Sequence, residues 1–227
     1  MKHKLIYVCL FLISMGWFSC SKDERVYSCD KEVDSWVKEN LTNIQKMTRN
    51  DWLKLGEDVN RAAYRAFTPK QKFIFWKEKM NEVLALDWNE AEKKHIELMY
   101  ETVSVNPQWF ASDFSKNEAE WEKFEQFTYR WVEIAEANFG WSKNIIGPMI
   151  ASGNKMLNTR GELLLNVDSA IRLRNVAPSS YCACSTESDF CSYPYTCRDN
   201  GDCKDKSGWP ACGLLLLYTC DGLCVYL

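Results

Sequence analysis

Histidine is almost missing from this chain: of 227 residues only His3 and His95 carry an imidazole. That scarcity excludes several chemistries. A three-histidine zinc site has too few ligands, and no HExxH is present. A di-iron bundle uses two Glu-x-x-His pairs and two further glutamates, whereas this chain offers one such pair, Glu92-x-x-His95. GxSxG, a Walker-type glycine loop and GxGxxG are absent as well. Long apolar runs are also lacking. Leu5 to Ile13 (LIYVCLFLI) is the strongest, and it is too short to span a bilayer. Cysteine, finally, is absent from Asp30 to Tyr181 although the chain holds 11.

What is present begins with an export signal. Lys2 and Lys4 precede the apolar run, and the stretch closes on Trp17-Phe18-Ser19-Cys20. A small residue before a cysteine is the substrate of bacterial lipoprotein processing, so residues 1–19 read as a signal peptide and Cys20 as the acylated residue. Trp17 and Phe18 depart from the usual lipobox, which leaves plain secretion as the rival. Ser21-Lys22-Asp23-Glu24 resembles the short acidic tag that sends some Gram-negative lipoproteins to the outer face of the outer membrane. The expected location is therefore exported and cell-surface, held to the membrane by acyl chains and not spanning it. Without residues 1–19 the chain keeps 26 basic and 31 acidic side chains. Nucleic-acid binding wants a basic face, so no nucleic acid is expected as a partner.

Residues 20–32 read as a lipidated tether containing Cys29. Residues 33–176 then follow a helical period. Val33, Val37, Leu41 and Ile44 form one stripe. Asn50 or Asp51 is the expected cap of a second helix that turns Trp52, Leu55, Val59, Ala62 and Ala66 inward. Thr68-Pro69 is a helix start, with Thr as cap and Pro at the first position; Phe73, Trp76, Met80 and Val83 lie on its inner side. Asp87 is the expected cap of a fourth helix carrying Ile96, Met99 and Val103. Asn106-Pro107 breaks the pattern. A fifth helix covers about 118–139, with Trp121, Phe124, Phe127, Trp131 and Ile134 inward and Gly140 ending it. Residues 145–157 read as a broken helix, 162–174 as a short helix or strand, and 175–181 (NVAPSSY) as a linker. The fold class expected is mainly α: an all-helical domain followed by a small disulfide-rich module at 177–227.

The helical region offers no catalytic set, and no enzyme activity or cofactor is expected. His95 reads as a surface or boundary residue. Glu118, Glu120, Glu122 and Glu125 read as a solvated helix face.

The tail holds eight cysteines: Cys182, Cys184, Cys191, Cys197, Cys203, Cys212, Cys220 and Cys224. An even count, dense spacing and an oxidising compartment point to four disulfides. Each is worth roughly 2–4 kcal/mol by restricting the unfolded chain. Eight cysteines allow 105 pairings. Metal binding by Cys182-x-Cys184 is the rival, but zinc sites use paired CxxC knuckles and none occurs, so no metal is expected. Nine cysteines remain once Cys20 is acylated, an odd number that makes Cys29 a candidate for pairing between chains or with the tail. Leu214-Leu215-Leu216-Leu217-Tyr218 reads either as a buried strand between Cys212 and Cys220 or, with Trp209, as an exposed target-contact patch. The tail's acidic balance (Glu187, Asp189, Asp199, Asp202, Asp205, Asp221) argues against charge-driven lysis and for docking on a specific target.

The run Cys182-Ala-Cys184-Ser185-Thr186-Glu187-Ser188-Asp189-Phe190-Cys191, together with the cysteine count and Gly208-Trp209, resembles the bacteriocin fulvocin C-related family. That family's layout of signal peptide, helical region and cysteine module is similar too. The resemblance implies a bacteriocin-like surface lipoprotein acting on competing bacteria. The alternative is a non-toxic lipoprotein whose module binds an envelope or host partner.

Overall fold

A computed structural model describes residues 25–28, 30–164, 184–204 and 210–227. The signal stretch 1–19, Cys20, Cys29, the linker 175–181, Cys182 and Trp209 lie outside the described residues. Among the described residues no helix is long and apolar enough to cross a membrane. The protein is mainly α, with a disulfide-bonded C-terminal region.

Helix α1 (Lys31–Ile44) starts where the Asp30 carboxylate accepts from the amides of Glu32 and Val33. Val33, Val37 and Ile44 are buried and Leu41 is half-buried, as the stripe predicts. The expected second helix is in fact two. Thr48, not Asn50 or Asp51, caps a single turn, α2 (Arg49–Trp52), and α3 (Glu57–Ala66) follows Gly56. The reason is a reciprocal pair: the Thr48 hydroxyl accepts from the Asp51 amide, and the Asp51 carboxylate accepts from the Thr48 amide. Asp51 is thereby the third helical residue. The apolar pattern survives the break, since Trp52, Leu55, Val59, Ala62 and Ala66 are all buried.

Thr68 caps α4 (Pro69–Leu84) with Pro69 in the first turn, as the sequence indicates, and Gln71 completes the capping box. Helix α5 (Glu90–Val105) is capped by Asn89 and not Asp87, because Asn89 Oδ1 reaches the amides of Ala91 and Glu92 while Glu92 returns to the Asn89 amide. Two 3₁₀ turns, Pro107–Phe110 and Phe114–Lys116, follow the Asn106-Pro107 break and bury Trp109, Phe110 and Phe114. Helix α6 (Glu118–Phe139) matches the expected span, ending at Gly140 with φ +65°, a left-handed cap that favours glycine. Ile134 is 41% exposed, contrary to the inward reading, and Ala135 is buried instead. Four residues on from Trp131 lies one helical turn, so position 135 and not 134 continues the inner face. Helix α7 (Lys143–Ile150) contains Pro148. A hairpin then pairs β1 (Lys155–Met156) with β2 (Leu163–Leu164), so the region before the tail is not purely helical.

The tail comprises β3 (Tyr195–Asp199), α8 (Gly201–Lys204), β4 (Pro210–Cys212), a 3₁₀ turn (Leu214–Leu216), β5 (Tyr218–Thr219) and β6 (Gly222–Tyr226). β3 and β6 form an antiparallel ribbon that sets Tyr195 opposite Tyr226 and Cys197 opposite Cys224. β4 and β5 pair around the leucine turn.

The core does not stop at the tail. One apolar cluster runs from Val33 and Trp76 through Phe124 and Trp131 to Leu214, Leu215 and Tyr218. An expected boundary between a cored region and a stapled one is therefore crossed by shared packing.

Candidate functional site: the crosslinked tail and its seat

Three disulfides join described cysteines: Cys184–Cys197, Cys191–Cys224 and Cys212–Cys220, with Cα separations of 5.9, 5.7 and 5.2 Å. Cys203 is fully buried and also disulfide-bonded. The first two bridges flank the β3–β6 ribbon. The third closes the loop that carries the leucines.

Three polar residues of the Cys184–Cys191 run, Thr186, Ser188 and Asp189, bond to other parts of the chain. The Asp221 carboxylate accepts from the Thr186 amide and hydroxyl, each at 2.7 Å. Ser188 is buried, and its Oγ accepts from the Leu214 amide at 3.0 Å. Asp189 accepts from the Cys191 amide, the Thr196 hydroxyl and, at 3.1 Å, Lys143 Nζ on α7. Burial pushes the Asp189 carboxyl up, but hydrogen bonds from the Cys191 amide, Lys143 and the Cys197 amide, with the charge of Lys143, outweigh it and hold the group below its ordinary value. Phe190 packs against Gly147, also on α7. The run thus ties two disulfides, the leucine loop and a helix to one another.

The leucine run is buried, as the first of the two sequence readings expects, although most of it is a turn and not a strand. Leu214, Leu215, Leu216, Leu217 and Tyr218 are all buried, with Leu215 at 0% exposure, so they are not a surface for a target. Only Tyr218 lies in a strand, β5; Leu214–Leu216 form a 3₁₀ turn in which Leu215 and Leu216 take left-handed φ values of +50° and +55°. Bulky residues pay about 1–2 kcal/mol for that conformation, against roughly 1.5–3 kcal/mol gained per buried leucine, so burial wins. Gly213 permits the entry: its φ is +64°, and a Cβ there would lie 2.5 Å from Ser188 Cβ. Trp209, the remaining expected contact, lies outside the described residues.

The helices supply a matching seat. Tyr64 on α3 donates to Leu215 O at 3.3 Å while accepting from Trp76 Nε1 at 3.0 Å; burial pushes its phenol pKa well up. Arg61, one turn earlier, points Nη1 at Cys212 Sγ, 3.1 Å away. The Tyr218 ring meets Trp121 edge-on at 5.1 Å and Phe124 at 6.2 Å. Asn144 Oδ1 accepts from the Tyr193 amide at 3.0 Å. Sequence reading missed Arg61, Tyr64, Lys143 and Asn144, because a polar residue on a helix carries no sign of which distant segment it will meet.

What the tail turns outward is its far end. Tyr193 and Tyr226 are 76% and 69% exposed, and Tyr195 and Leu227 are exposed beside them. The Tyr195 and Tyr226 rings meet edge-on at 5.9 Å, and the Leu227 amide donates to Pro194 O. This aromatic tip was also missed; its only sequence signal is the tyrosine on either side of Pro194.

The Glu92 and His95 pair is structural. Glu92 accepts from the Asn89 amide and, at 3.2 Å, from Trp141 Nε1. His95 is buried, not at the surface. It stacks on Trp131 with centroids 4.5 Å apart. Its Nε2 lies 2.9 Å from Trp131 O, and Trp131 Nε1 donates back to His95 O at 2.9 Å. A carbonyl partner requires Nε2 to carry the proton. Burial pulls the His95 pKa below its ordinary value, partly offset by that hydrogen bond. Glu118, Glu122 and Glu125 are exposed and Glu120 half-exposed, the solvated face expected of them.

Comparison of the chain with protein-family models, with curated proteins and with solved structures finds no match.

Proposed function

We propose that the mature chain is a bacteriocin-like surface lipoprotein, anchored through Cys20, that acts on competing bacteria by docking its crosslinked C-terminal end on a specific target. The observation that carries this reading is the β3–β6 ribbon, held by Cys184–Cys197 and Cys191–Cys224 and presenting Tyr193, Tyr195 and Tyr226 to solvent. Tyrosines give large, rigid, amphipathic contact area at low entropic cost, and a crosslinked ribbon loses little freedom on binding. The net acidic balance fits docking better than lysis. The docking surface is the tyrosine tip and not the leucine loop, which is committed to the core. The tail acts while seated on the helices, because detaching it would expose four leucines.

The test uses the full mature protein on producer cells mixed with a broad panel of related bacteria. Replacing Tyr193, Tyr195 and Tyr226 together by alanine should lower inhibition, or binding to target cells, by at least about tenfold, with the helical circular dichroism unchanged. Undiminished inhibition by the triple variant would refute the tip as the contact. Binding without inhibition would favour the non-toxic lipoprotein.

A further inference from the structure

The two bridges that hold the ribbon lie against each other. The sulfurs of Cys184, Cys191 and Cys224 are all within 4.8 Å of one another, and Cys197 Sγ is bonded to Cys184. The sulfurs of two adjoining disulfides are thus brought together, and among the described residues no histidine or carboxylate joins the three that lie within that distance. Their backbone positions do not depend on the disulfides alone. Cys197 and Cys224 are directly opposite in the β3–β6 ladder, so their side chains leave the ribbon on the same face. Cys184 is fixed by a reciprocal bridge, donating to Gly222 O at 3.2 Å and accepting from the Gly222 amide at 3.1 Å. Cys191 is held by a hydrogen bond, its backbone N–H donating to Asp189 Oδ1 at 2.9 Å. Gly222 leaves room at the centre of the cluster: a Cβ there would lie 2.6 Å from Cys197 Sγ.

We propose that Cys184, Cys191, Cys197 and Cys224, once reduced, form a four-thiolate site for a soft metal ion such as Zn²⁺ or Cu⁺, so that this end of the protein exchanges two disulfides for one bound metal. An all-sulfur donor set selects such ions over hard cations. Zinc bonds thiolate at about 2.3 Å in a tetrahedron, which puts the sulfurs about 3.8 Å apart. Reaching that means parting each bonded sulfur pair and drawing the two pairs together by side-chain rotation, with the ladder kept. The redox step balances: each disulfide takes two electrons and two protons from a dithiol, which becomes a disulfide, and the four thiols then release four protons as a Zn²⁺ ion binds. Cys224 is exposed while Cys184 and Cys191 are buried, so a reductant enters at the Cys191–Cys224 bridge. Cys212 and Cys220 are both buried, with Arg61 of α3 against Cys212 Sγ. The inference does not depend on the docking reading.

The experiment uses the full mature protein, reduced without oxygen by a phosphine, which does not leave a competing thiol. Co²⁺ is the probe. The expected result is binding of one equivalent with an intense sulfur-to-cobalt charge-transfer absorption and the visible bands of a tetrahedral ion, displaced by Zn²⁺. Cys224→Ser should weaken Co²⁺ binding by at least about tenfold, whereas replacing Cys212 and Cys220 together by serine should leave the spectrum in place. Circular dichroism of the same samples reports the helices. Absence of the charge-transfer band with the helices intact would overturn the proposal, as would an undiminished band in Cys224→Ser. Loss of the helical signal on reduction, before any metal is added, would equally overturn it, because the site was argued to be held by backbone bonds.

Discussion

The helical region and the cysteine-bonded tail solve the same stability problem by different means, and they meet at the leucine loop. Residues 30–164 carry no cysteine and bury a continuous run of aromatic and aliphatic side chains. The tail is crosslinked every few residues and has little interior of its own. Yet its most apolar stretch, Leu214–Tyr218, is packed under Tyr64, Trp121 and Phe124. Crosslinks fix the tail's backbone; they do not give its leucines a dry place, and the helices do. A segment that looks self-contained by its cysteines is thus completed by its neighbour's core.

The largest expected effect breaks that comparison where the two regions touch. Leu215→Ala should destabilise the whole protein by about 2–5 kcal/mol, seen in urea unfolding followed by the helical circular dichroism. If the tail were independent, the helical transition would not move.

A second effect separates the regions by pH. Lys79 on α4 is fully buried, donates to Asn154 O, and lies near Arg49 and Glu82. Burial, helped by Arg49, lowers its pKa from 10.5 to about 7; Lys72, also buried and near Arg65, is lowered to about 8. The unfolded chain then binds more protons than the folded one between those values and 10.5. Stability should rise as pH climbs from about 7 towards 10.5. Lys79→Met should flatten much of that rise, whereas tail variants such as Asp189→Asn should leave it in place.

Tyr64→Phe is a smaller probe of the seat. It removes the bond to Leu215 O and leaves Trp76 Nε1 without its acceptor, for a loss of about 1–3 kcal/mol that equilibrium unfolding would register. Smallest, and confined to the helices, is Thr68→Ala, which removes the α4 cap at about 1 kcal/mol. That loss should appear in the same unfolding midpoint without altering amide exchange in the β3–β6 ribbon.

How far the sequence foretold this depends on whether a signal was local. Thr68-Pro69 and Gly140 were legible because a cap is written in adjacent residues. Thr48 and Asn89 were mistaken by two or three positions because several capping residues stood side by side, and the reciprocal bonds of Asp51 and Glu92 chose between them. The buried stripes came through, except at Ile134, where one residue of phase decides the face. The leucine run was ambiguous because apolar content gives burial but not what covers it. The pairing of Cys184 with Cys197 and Cys191 with Cys224 was illegible, since spacing does not reveal the β3–β6 register that sets it. The same register creates the tyrosine tip.

The shared core is the central claim, and one measurement meets it most directly. In the oxidised protein, urea unfolding is followed at once by helical circular dichroism and by amide exchange of Leu216 and Leu217, whose amides bond to Gly213 O and Leu214 O. The account predicts a single transition with coincident midpoints and slopes for both probes. Two transitions, with the leucine amides protected after the helices have melted or exposed before them, would contradict it.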